Sequence, residues 1–468
     1  MSVLVAAVDL GASSGRVVVG RVGVDELSIR TVARFPNAPV ERPGRVGPEL
    51  HWDLPALLEH SLAGLRAAGP VSSIGVDSWA VDYGLVRDDV LVDLPWCYRD
   101  ERTAAGVAAV HARVGADELY RRTGLQFLPF NTVYQLAAER RLAEADRLLL
   151  IPDLVTWWLT GVAICERTNA STTGLLDVHS RQWDAELLAL VGLEAAQLPD
   201  LVDPGTVVGE AVLAGLGGTP VVAVGSHDTA SAVVGVPMTE PDAAFVSCGT
   251  WGLVGVELDR PVVTEASRAA NFTNEGGVDG RTRFLTNVMG TWLLSETLRA
   301  WGSGDLPGLL EQASAYDGPI TVFDVQDPRF LPPNDERSDM PGRVADWCRE
   351  HDLPVPADRV ALVRSIVASL AAAFAGAVER AASLSGRAVR RVHVVGGGAQ
   401  NSLLCRLLAE RLGMPVLAGP VEATALGNVL VQGRAHGALS GSLEDLRSLI
   451  ARTHPPVVHQ PTGRGAPL

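Results

Sequence analysis

The chain has 468 residues, of which 47% are hydrophobic, and a formal net charge of -15. A chain of this length can bury the cores of two or three domains, and its acidic balance makes nucleic acids and anionic membrane surfaces poor partners. All 39 basic residues are arginine. Without lysine, the chain cannot be a P-loop nucleotide-binding protein, a protein kinase, or an enzyme that works through a lysine Schiff base.

The five cysteines point to a reducing compartment. They are odd in number and none stands in a C-x-x-C pair, which argues against a disulfide framework and against a zinc site. The N-terminus has no basic segment before its short apolar run, and the other apolar stretches are interrupted by charges or turn residues. We therefore expect a cytoplasmic protein.

Short apolar runs separated by turn residues fill the first part of the chain. VLVAAVDL and RVVVGRV predict two strands joined by the turn GASSG, and VSSIGVDSWAVDYGLV repeats this plan. Apolar residues at helical spacing then predict helices over ADELYRRTG and over VYQLAAERRLAEADRLLL. LIPDLVTWWLTG predicts a buried helix that begins at or near Pro152.

The second half begins after a candidate domain boundary. The segment GVPMTEPDAA, from Gly235 to Ala244, combines prolines and acidic residues. AAFVSCGTWGLVGVEL then repeats the plan of the opening stretch, which suggests an internal duplication. ALVRSIVASLAAAFAGAVERAASLSG predicts a long helix, and RVHVVGGGAQNSLLCRLLAERLG predicts a strand, a glycine turn and a helix. This alternation is typical of an α/β protein, and the tail from His454 is expected to be loose.

Three glycine-rich turns are candidate anion sites. In GASSG, small residues let a phosphate approach the backbone N–H groups, and Asp9 before the turn could hold Mg²⁺ directly or through water. An ordinary hairpin turn explains the same residues, and CGTWG is a weaker signal of the same kind. GGGAQN suits a nucleotide, because glycines and a helix N-terminus favour phosphate, but it lacks the G-x-G-x-x-G pattern of a dinucleotide site.

Polar side chains at strand ends are candidate sugar ligands. GSHDTASAV places His227 and Asp228 directly after a predicted strand, where Asp228 could act on a substrate or could only cap the next helix. DSWAVDYG, YRDERT and NVMGTW add carboxylates, arginine, an amide and aromatic rings, which are the groups that hold sugars. Taken singly, each of these motifs is explained by a core tryptophan or by surface charges.

Taken together, the motifs resemble those of the rhamnulokinases, a branch of the FGGY carbohydrate kinases. VDLGASSGR, DSWAVDYG, YRDERT, FLPFNTVYQL, HDTASAV, CGTWGLVG, NFTNEGG, NVMGTWLL and VVGGGAQN occur in the family order over nearly the whole chain. The resemblance implies two actin-like (ribonuclease H-like) domains around a central cleft, as in the superfamily of sugar kinases, heat-shock ATPases and actin. It implies a sugar-binding domain with the catalytic base in residues 1–237 and an ATP-binding domain in residues 238–468.

The activity implied is transfer of the γ-phosphate of ATP to the 1-hydroxyl of L-rhamnulose in L-rhamnose breakdown, by a monomer or a homodimer. Asp228 would be the base that accepts the hydroxyl proton, and Asp9 would hold Mg²⁺. The sugar would be bound by Trp79, Ala80, Asp82, Arg99, His227, Asp228, Thr229 and Asn287. ATP would be bound by Ala12, Ser13, Ser14, Gly15, Arg16, Thr250, Ser295, Gly396, Gly397, Gly398 and Asn401.

Two positions depart from the family pattern. Ala80 stands where the family usually has a glycine whose backbone lies against the sugar, and Ser295 stands where it often has a glutamine near the nucleotide. The methyl group of Ala80 could narrow the sugar pocket, so the first alternative is a kinase for another ketose or polyol, such as L-fuculose, xylulose or glycerol. A sugar-responsive regulator without catalysis is the remote alternative, which the presence of Asp228 disfavours.

Overall fold

The computed structural model describes residues 2–44, 47–302, 304–331, 334 and 338–462. The chain folds into two compact units, and each unit is assembled from separate segments. Unit 1 comprises Met1–Thr239, Glu257–Phe284 and Ala423–Thr453, and unit 2 comprises Glu240–Val256, Leu285–Glu422 and His454–Leu468. The chain first leaves unit 1 after Thr239, within the segment that the sequence marks as a boundary, and later returns to it twice.

Strands and helices alternate along the chain. Up to Thr239 they are β1 (Val3–Leu10), β2 (Ser14–Gly23), β3 (Glu26–Pro36), β4 (Pro39–Pro43), β5 (Pro48–Trp52), α1 (Leu54–Ala68), β6 (Ile74–Ser78), β7 (Tyr83–Arg87), β8 (Val90–Leu91), α2 (Thr103–His111), α3 (Ala116–Thr123), α4 (Thr132–Ala137), β9 (Arg147–Leu150), α5 (Ile151–Thr160), β10 (Cys165–Glu166), α6 (Arg167–Ala170), α7 (Ala185–Val191), β11 (Leu201–Val202), β12 (Val207–Glu210), β13 (Pro220–Val222) and α8 (Asp228–Val234). Beyond it they are β14 (Ala243–Cys248), β15 (Trp251–Leu258), α9 (Glu265–Ala269), β16 (Thr273–Gly276), β17 (Thr282–Met289), α10 (Trp292–Trp301), α11 (Leu306–Ala315), α12 (Met340–Glu350), α13 (Arg359–Ser385), β18 (Arg391–Val395), α14 (Ser402–Leu412), β19 (Val416–Ala418), α15 (Ala423–Ala435), α16 (Leu443–Thr453) and β20 (Val457–His459).

The main sheet of unit 1 has the strand order β12-β13-β6-β1-β2-β3. β1 and β2 form an antiparallel hairpin, whereas β1, β6 and β13 run parallel. Alternate residues of β1 enter two hydrophobic cores: Val8 and Leu10 belong to the one that includes residues of α1, and Val5 and Ala7 to the one that includes residues of α15. Because β1 is covered on both faces, it reads as a nearly continuous apolar run.

The second sheet has the order β16-β17-β15-β14-β18-β19-β20. From β17 to β20 this repeats the first sheet: the hairpin β14-β15 corresponds to β1-β2, the parallel strands β18 and β19 correspond to β6 and β13, and the antiparallel β20 corresponds to β12. Residues Glu257–Phe284, which include all of β16, the end of β15 and the start of β17, belong to unit 1. The shared order supports the internal duplication that the two strand–turn–strand motifs suggest.

Helix α13 is a core helix of unit 2. It is long and apolar enough to cross a membrane by length and composition, but 72% of its apolar window is buried inside the fold. Asp358 caps its first turn by accepting from Ala361 N at 2.8 Å, and Gly386 ends it with a φ of 70°. The predicted helix, with its end at Ser-Gly, is therefore confirmed, as are α3, α5 and α14.

Three sequence expectations are corrected. The helix predicted over VYQLAAERRLAEADRLLL is wrong in its second half, where Arg147–Leu150 form β9 against β7, because a short buried leucine run fits a strand as well as a helix. β6 and β7 are present as predicted but belong to different sheets. The tail predicted to be loose contains β20, which pairs with β19, and residues 463–468 lie outside the described part of the chain.

Candidate active site

The carboxyl ends of β1, β6 and β13 bring acidic residues to one edge of the unit 1 sheet. Asp9 on β1 and Asp77 on β6 are register partners on neighbouring parallel strands. The chain that follows β13 leads to Asp228, and on the way Ser226 O accepts a hydrogen bond from Ser78 N at 2.9 Å. This edge is where parallel α/β sheets bind their ligands, and three distant parts of the sequence contribute a carboxylate to it.

Asp228 is the first residue of α8, and its side chain is 30% exposed. Partial burial, followed by the negative charge of Asp9, raises the pKa of Asp228 to about 7. Thr229 Oγ1 donates to its Oδ1 at 3.2 Å. The N-cap residue of α8 is His227, and no side chain caps the helix, so capping does not occupy the Asp228 carboxylate. A partly exposed carboxylate with a pKa near neutrality suits a general base.

Asp9 forms a close ion pair with Arg16, its partner across the β1-β2 hairpin. Arg16 donates to Asp9 Oδ2 from Nε at 2.8 Å and from Nη2 at 2.5 Å. The predicted turn between the two strands is present: Gly11 N donates to Ser14 O at 2.9 Å, and Asn37 Nδ2 donates to Gly11 O at 2.8 Å. The predicted turn GASSG, residues 11–15, thus lies at the same edge as the acidic residues, and its last two residues already belong to β2.

The acidic residues at this edge suit a cation with oxygen ligands. Burial, and then the charge of Asp9, raises the pKa of Asp77 well above its usual value, and Asp77 Oδ1 has no hydrogen-bond partner within the described residues. A positive charge would relieve this repulsion, and Mg²⁺ prefers carboxylate, phosphate and water oxygens. Over the part of the chain that the structure describes, no three His, Cys, Asp or Glu side chains form a metal site by themselves.

A buried ion pair lies behind His227. The fully buried Arg283 of β17 lies 3.0 Å from Glu275 Oε2 of β16, and its Nη2 lies 3.0 Å from His227 Nδ1. His227 Nε2 lies 3.4 Å from Asp228 Oδ1. Burial, and then the charge of Arg283, lowers the pKa of His227 well below its usual value, so the ring is neutral at pH 7. Neither Arg283 nor Glu275 is among the site residues predicted from the sequence. The available signal was a single charged residue within each of the strands β16 and β17.

Asp82 is the centre of an aromatic cluster. Its Oδ2 accepts from the indole N–H groups of Trp52 at 2.6 Å and Trp79 at 3.0 Å and from Tyr98 N at 3.2 Å, and its Oδ1 accepts from Gln135 Nε2 at 2.8 Å. Burial raises the pKa of Asp82 to about 6, and these hydrogen bonds oppose the rise. Since donors surround both oxygens, the carboxylate holds the two indole rings, whose centroids lie 4.5 Å apart, in place.

A tight turn presents Ala80 between Trp79 and Asp82. Asp82 N donates to Ala80 O at 2.9 Å, and the residue between them, Val81, has a φ of 68°, which is rare for a β-branched residue. Thr132 Oγ1 donates to Val81 O at 2.7 Å and so holds the turn. Backbone strain of this kind concentrates at binding sites, so the turn is consistent with a ligand beside the half-buried Ala80.

The remaining predicted sugar ligands lie in different settings. Arg99 is exposed, with its guanidinium 5.0 Å from the centre of the Tyr98 ring. Asn287 is half-buried on β17 in unit 2, where its backbone O accepts from Gln326 Nε2 at 3.0 Å.

In unit 2, two predicted ATP-binding loops meet at the carboxyl edge of β14 and β18. The register pairs Ser247 with Val395, and the loops that contain Thr250 and the three glycines 396–398 follow directly. Close packing fixes both loops: a Cβ added at Gly290 would lie 2.5 Å from Gly249 O, and one added at Gly398 would overlap the Cys248 thiol.

Two further predicted ATP ligands bond to the backbone of helices. Asn401 Oδ1 accepts from Leu404 N at 3.0 Å and caps α14. Ser295 is exposed on α10, and its Oγ donates to Thr291 O at 3.2 Å. The side-chain oxygen of Asn401 is thus used by the fold itself.

Comparison with known proteins identifies the family of this chain. Residues 61–235 match the N-terminal domain, and residues 244–436 the C-terminal domain, of the FGGY family of carbohydrate kinases. Proteins named rhamnulokinase are similar over 98% of this chain: that of Pectobacterium carotovorum subsp. carotovorum is 42% identical with 93% of its own length covered, and that of Bacteroides thetaiotaomicron is 38% identical with 96% covered.

Solved structures share the fold at low identity. A xylulose kinase from Rhodospirillum rubrum has a TM-score of 0.76 at 18% identity, over 99% of this chain and 95% of its own. Plasmodium falciparum glycerol kinase with ADP has a TM-score of 0.76 at 14% identity, over 98% of this chain and 94% of its own. With both family domains matched and close relatives along nearly its full length, the chain belongs to the FGGY family of carbohydrate kinases.

Proposed function

We propose that this kinase transfers the γ-phosphate of ATP to the 1-hydroxyl of L-rhamnulose, giving L-rhamnulose 1-phosphate and ADP. The observation that carries the choice of sugar is the 38–42% identity to proteins named rhamnulokinase over 98% of the chain. The xylulose and glycerol kinases of known structure, at 14–21% identity, support only the fold.

The proposed base is Asp228. Phosphoryl transfer passes through a loose, in-line transition state, so an enzyme contributes mainly position and charge neutralisation. Asp228 would orient the attacking hydroxyl and accept its proton late in the reaction. Its pKa of about 7 lets the carboxylate accept a proton near neutral pH. Trp79 would offer its ring to the C–H surface of the sugar, and His227 and Thr229 would hold hydroxyl groups.

The nucleotide would be bound mainly by backbone groups. Ala12 and Ser13 lie in the turn after β1, and Ser14 and Gly15 begin β2. Thr250 and the glycines 396–398 follow the parallel strands β14 and β18. Bound Mg²⁺, held by Asp9 directly or through water, would supply positive charge to the phosphates. We assign the base and most of the sugar binding to residues 1–237, and most of the ATP binding to residues 238–468.

The substrate assignment is tested by the release of ADP from Mg-ATP in the presence of L-rhamnulose, L-fuculose, L-xylulose, D-xylulose, L-ribulose and glycerol. We expect the highest kcat/KM for L-rhamnulose. A clear preference for another sugar would keep the kinase assignment and replace the substrate. No turnover with any sugar, while ATP still binds, would contradict the proposal and favour a sugar-responsive regulator.

A further inference from the structure

The position of one proton on His227 follows from its neighbours. His227 Nδ1 faces Arg283 Nη2 at 3.0 Å and Glu275 Oε2 at 3.4 Å. A guanidinium only donates hydrogen bonds and stays charged in proteins. Nδ1 must therefore offer its lone pair to the closer partner, Arg283. Since neutral imidazole carries a single N–H, the proton lies on Nε2.

The Nε2 side of the ring is the side nearest to the proposed base. His227 Nε2 lies 3.4 Å from Asp228 Oδ1, a long contact of the kind that tightens when substrate binds. Thr229 Oγ1 donates to the same oxygen at 3.2 Å. Oδ1 thus accepts from Thr229 and has His227 Nε2 as its next nearest donor, which leaves Oδ2 as the oxygen available to the hydroxyl of the substrate.

We propose that Arg283 is a positioning residue for phosphoryl transfer: by donating to His227 Nδ1, it fixes the Nε2–H form of the ring, which holds Asp228 Oδ1 and aims Oδ2 at the substrate. This inference rests on the proposed function of Asp228 as the base. It makes His227 a ligand of the base instead of the sugar, because both ring nitrogens are then used within the protein, and it gives the fully buried Arg283 a role beyond packing.

The setting of Arg283 keeps the donor in place. Its charge is balanced by Glu275 at 3.0 Å, and its Nε donates to Gly276 O at 2.9 Å. Because removing one partner leaves the other charge buried and unpaired, a single substitution to an apolar residue would disrupt folding. Replacing both Arg283 and Glu275 by methionine removes the charges together at similar volume, which proteins often tolerate.

The first test reads the proton directly. Protein labelled with ¹⁵N-histidine is studied by long-range ¹H–¹⁵N NMR at neutral pH, and His227 is assigned by its loss in His227→Gln. We expect an unprotonated Nδ1 and a protonated Nε2 in the natural protein and in Arg283→Lys, which retains a donor. The Arg283→Met/Glu275→Met variant should lose this preference. A protonated Nδ1 in the natural protein would overturn the proposal.

The second test is kinetic. In Arg283→Met/Glu275→Met, kcat should fall by about 10–100-fold, a part of the 10²–10⁴-fold that general base catalysis supplies, while the KM for ATP stays unchanged. Arg283→Lys should recover most of this loss. Natural kcat in the double methionine variant would refute the positioning role. Full turnover in Asp228→Asn would contradict the proposal that Asp228 is the base. The NMR experiment would still report which nitrogen of His227 carries the proton.

Discussion

Helix α8, which begins with the proposed base, lies directly on α15, and glycines make this contact possible. A Cβ built at Gly427 of α15 would lie 1.8 Å from Ser231 O of α8, and one built at Gly235, just after α8, would lie 2.0 Å from Ala423 O. Both obstructing atoms belong to the backbone, so no side-chain rotation can clear them. We predict that Gly427→Ala displaces α8 and therefore the carboxylate of Asp228.

The size of the effect follows from the distances. Since the built Cβ lies 1.8 Å from Ser231 O, an ordinary contact of about 3.5 Å requires the backbone of α8 to move by about 1.7 Å. Such overpacking costs about 1–3 kcal/mol of folding free energy, and the better helix propensity of alanine offsets at most about 1 kcal/mol. Since a displacement of about 1 Å at a reacting group can cost about 10²-fold in rate, kcat should fall by about 10²-fold.

Steady-state kinetics with L-rhamnulose and Mg-ATP, thermal denaturation and calorimetric ATP binding would measure this. Gly376→Ala in α13 is the matched control, because the nearest atom to its Cβ is the flexible end of Arg380 at 3.2 Å. The control should keep natural kinetics and gain up to about 1 kcal/mol of stability. Natural kcat and Tm in Gly427→Ala would refute the claim that this contact positions the base.

Four further outcomes are expected. Asp82→Ala leaves two buried indole N–H groups without an acceptor at about 1–3 kcal/mol each, so its Tm should drop clearly, and an unchanged Tm would contradict the role given to Asp82. Gly290→Ala should push the Gly249 carbonyl aside and raise the KM for ATP on the order of tenfold without changing the KM for sugar, and an equal rise in both would contradict the assignment of that loop. Ala80→Gly widens the turn beside Trp79, so the ratio of kcat/KM between L-rhamnulose and the other ketoses should change by about tenfold, whereas an unchanged ratio would place the methyl group away from the sugar. Because Asp228 must be ionised to accept a proton and its pKa is raised to about 7, kcat/KM should fall as the pH drops through 7, and a flat profile down to pH 5.5 would argue against it as the base.

The elements that could be predicted from the sequence are those set by residues close together in the chain. The hairpins at GASSG and CGTWG and the long helix α13 follow from turn residues and periodicity, and the structure confirms them. The strand predicted before His227 is present as β13 but ends earlier, at Val222. The repeated motif also predicted a duplication that the two sheet orders support. These features depend on residues close together in the chain.

What the sequence could not supply is the long-range pairing around the site. Asn428 Nδ2 donates to Asp77 Oδ2 at 2.5 Å across 351 residues, and Arg283 reaches His227 across 56. Nothing local distinguishes such residues from ordinary polar positions. The helix predicted over the leucines of β9 is wrong for a related reason, because a short buried apolar run is compatible with either a strand or a helix.

The central claim, that Asp228 is the base of a sugar kinase, is tested most directly by the turnover of Asp228→Asn. The matched control is Asp117→Asn, which changes an exposed acidic residue in the first turn of α3. We predict that Asp228→Asn lowers kcat for L-rhamnulose by about 10²–10⁴-fold with unchanged ATP affinity, and that Asp117→Asn behaves as the natural protein. Full turnover in Asp228→Asn would remove this residue from the mechanism.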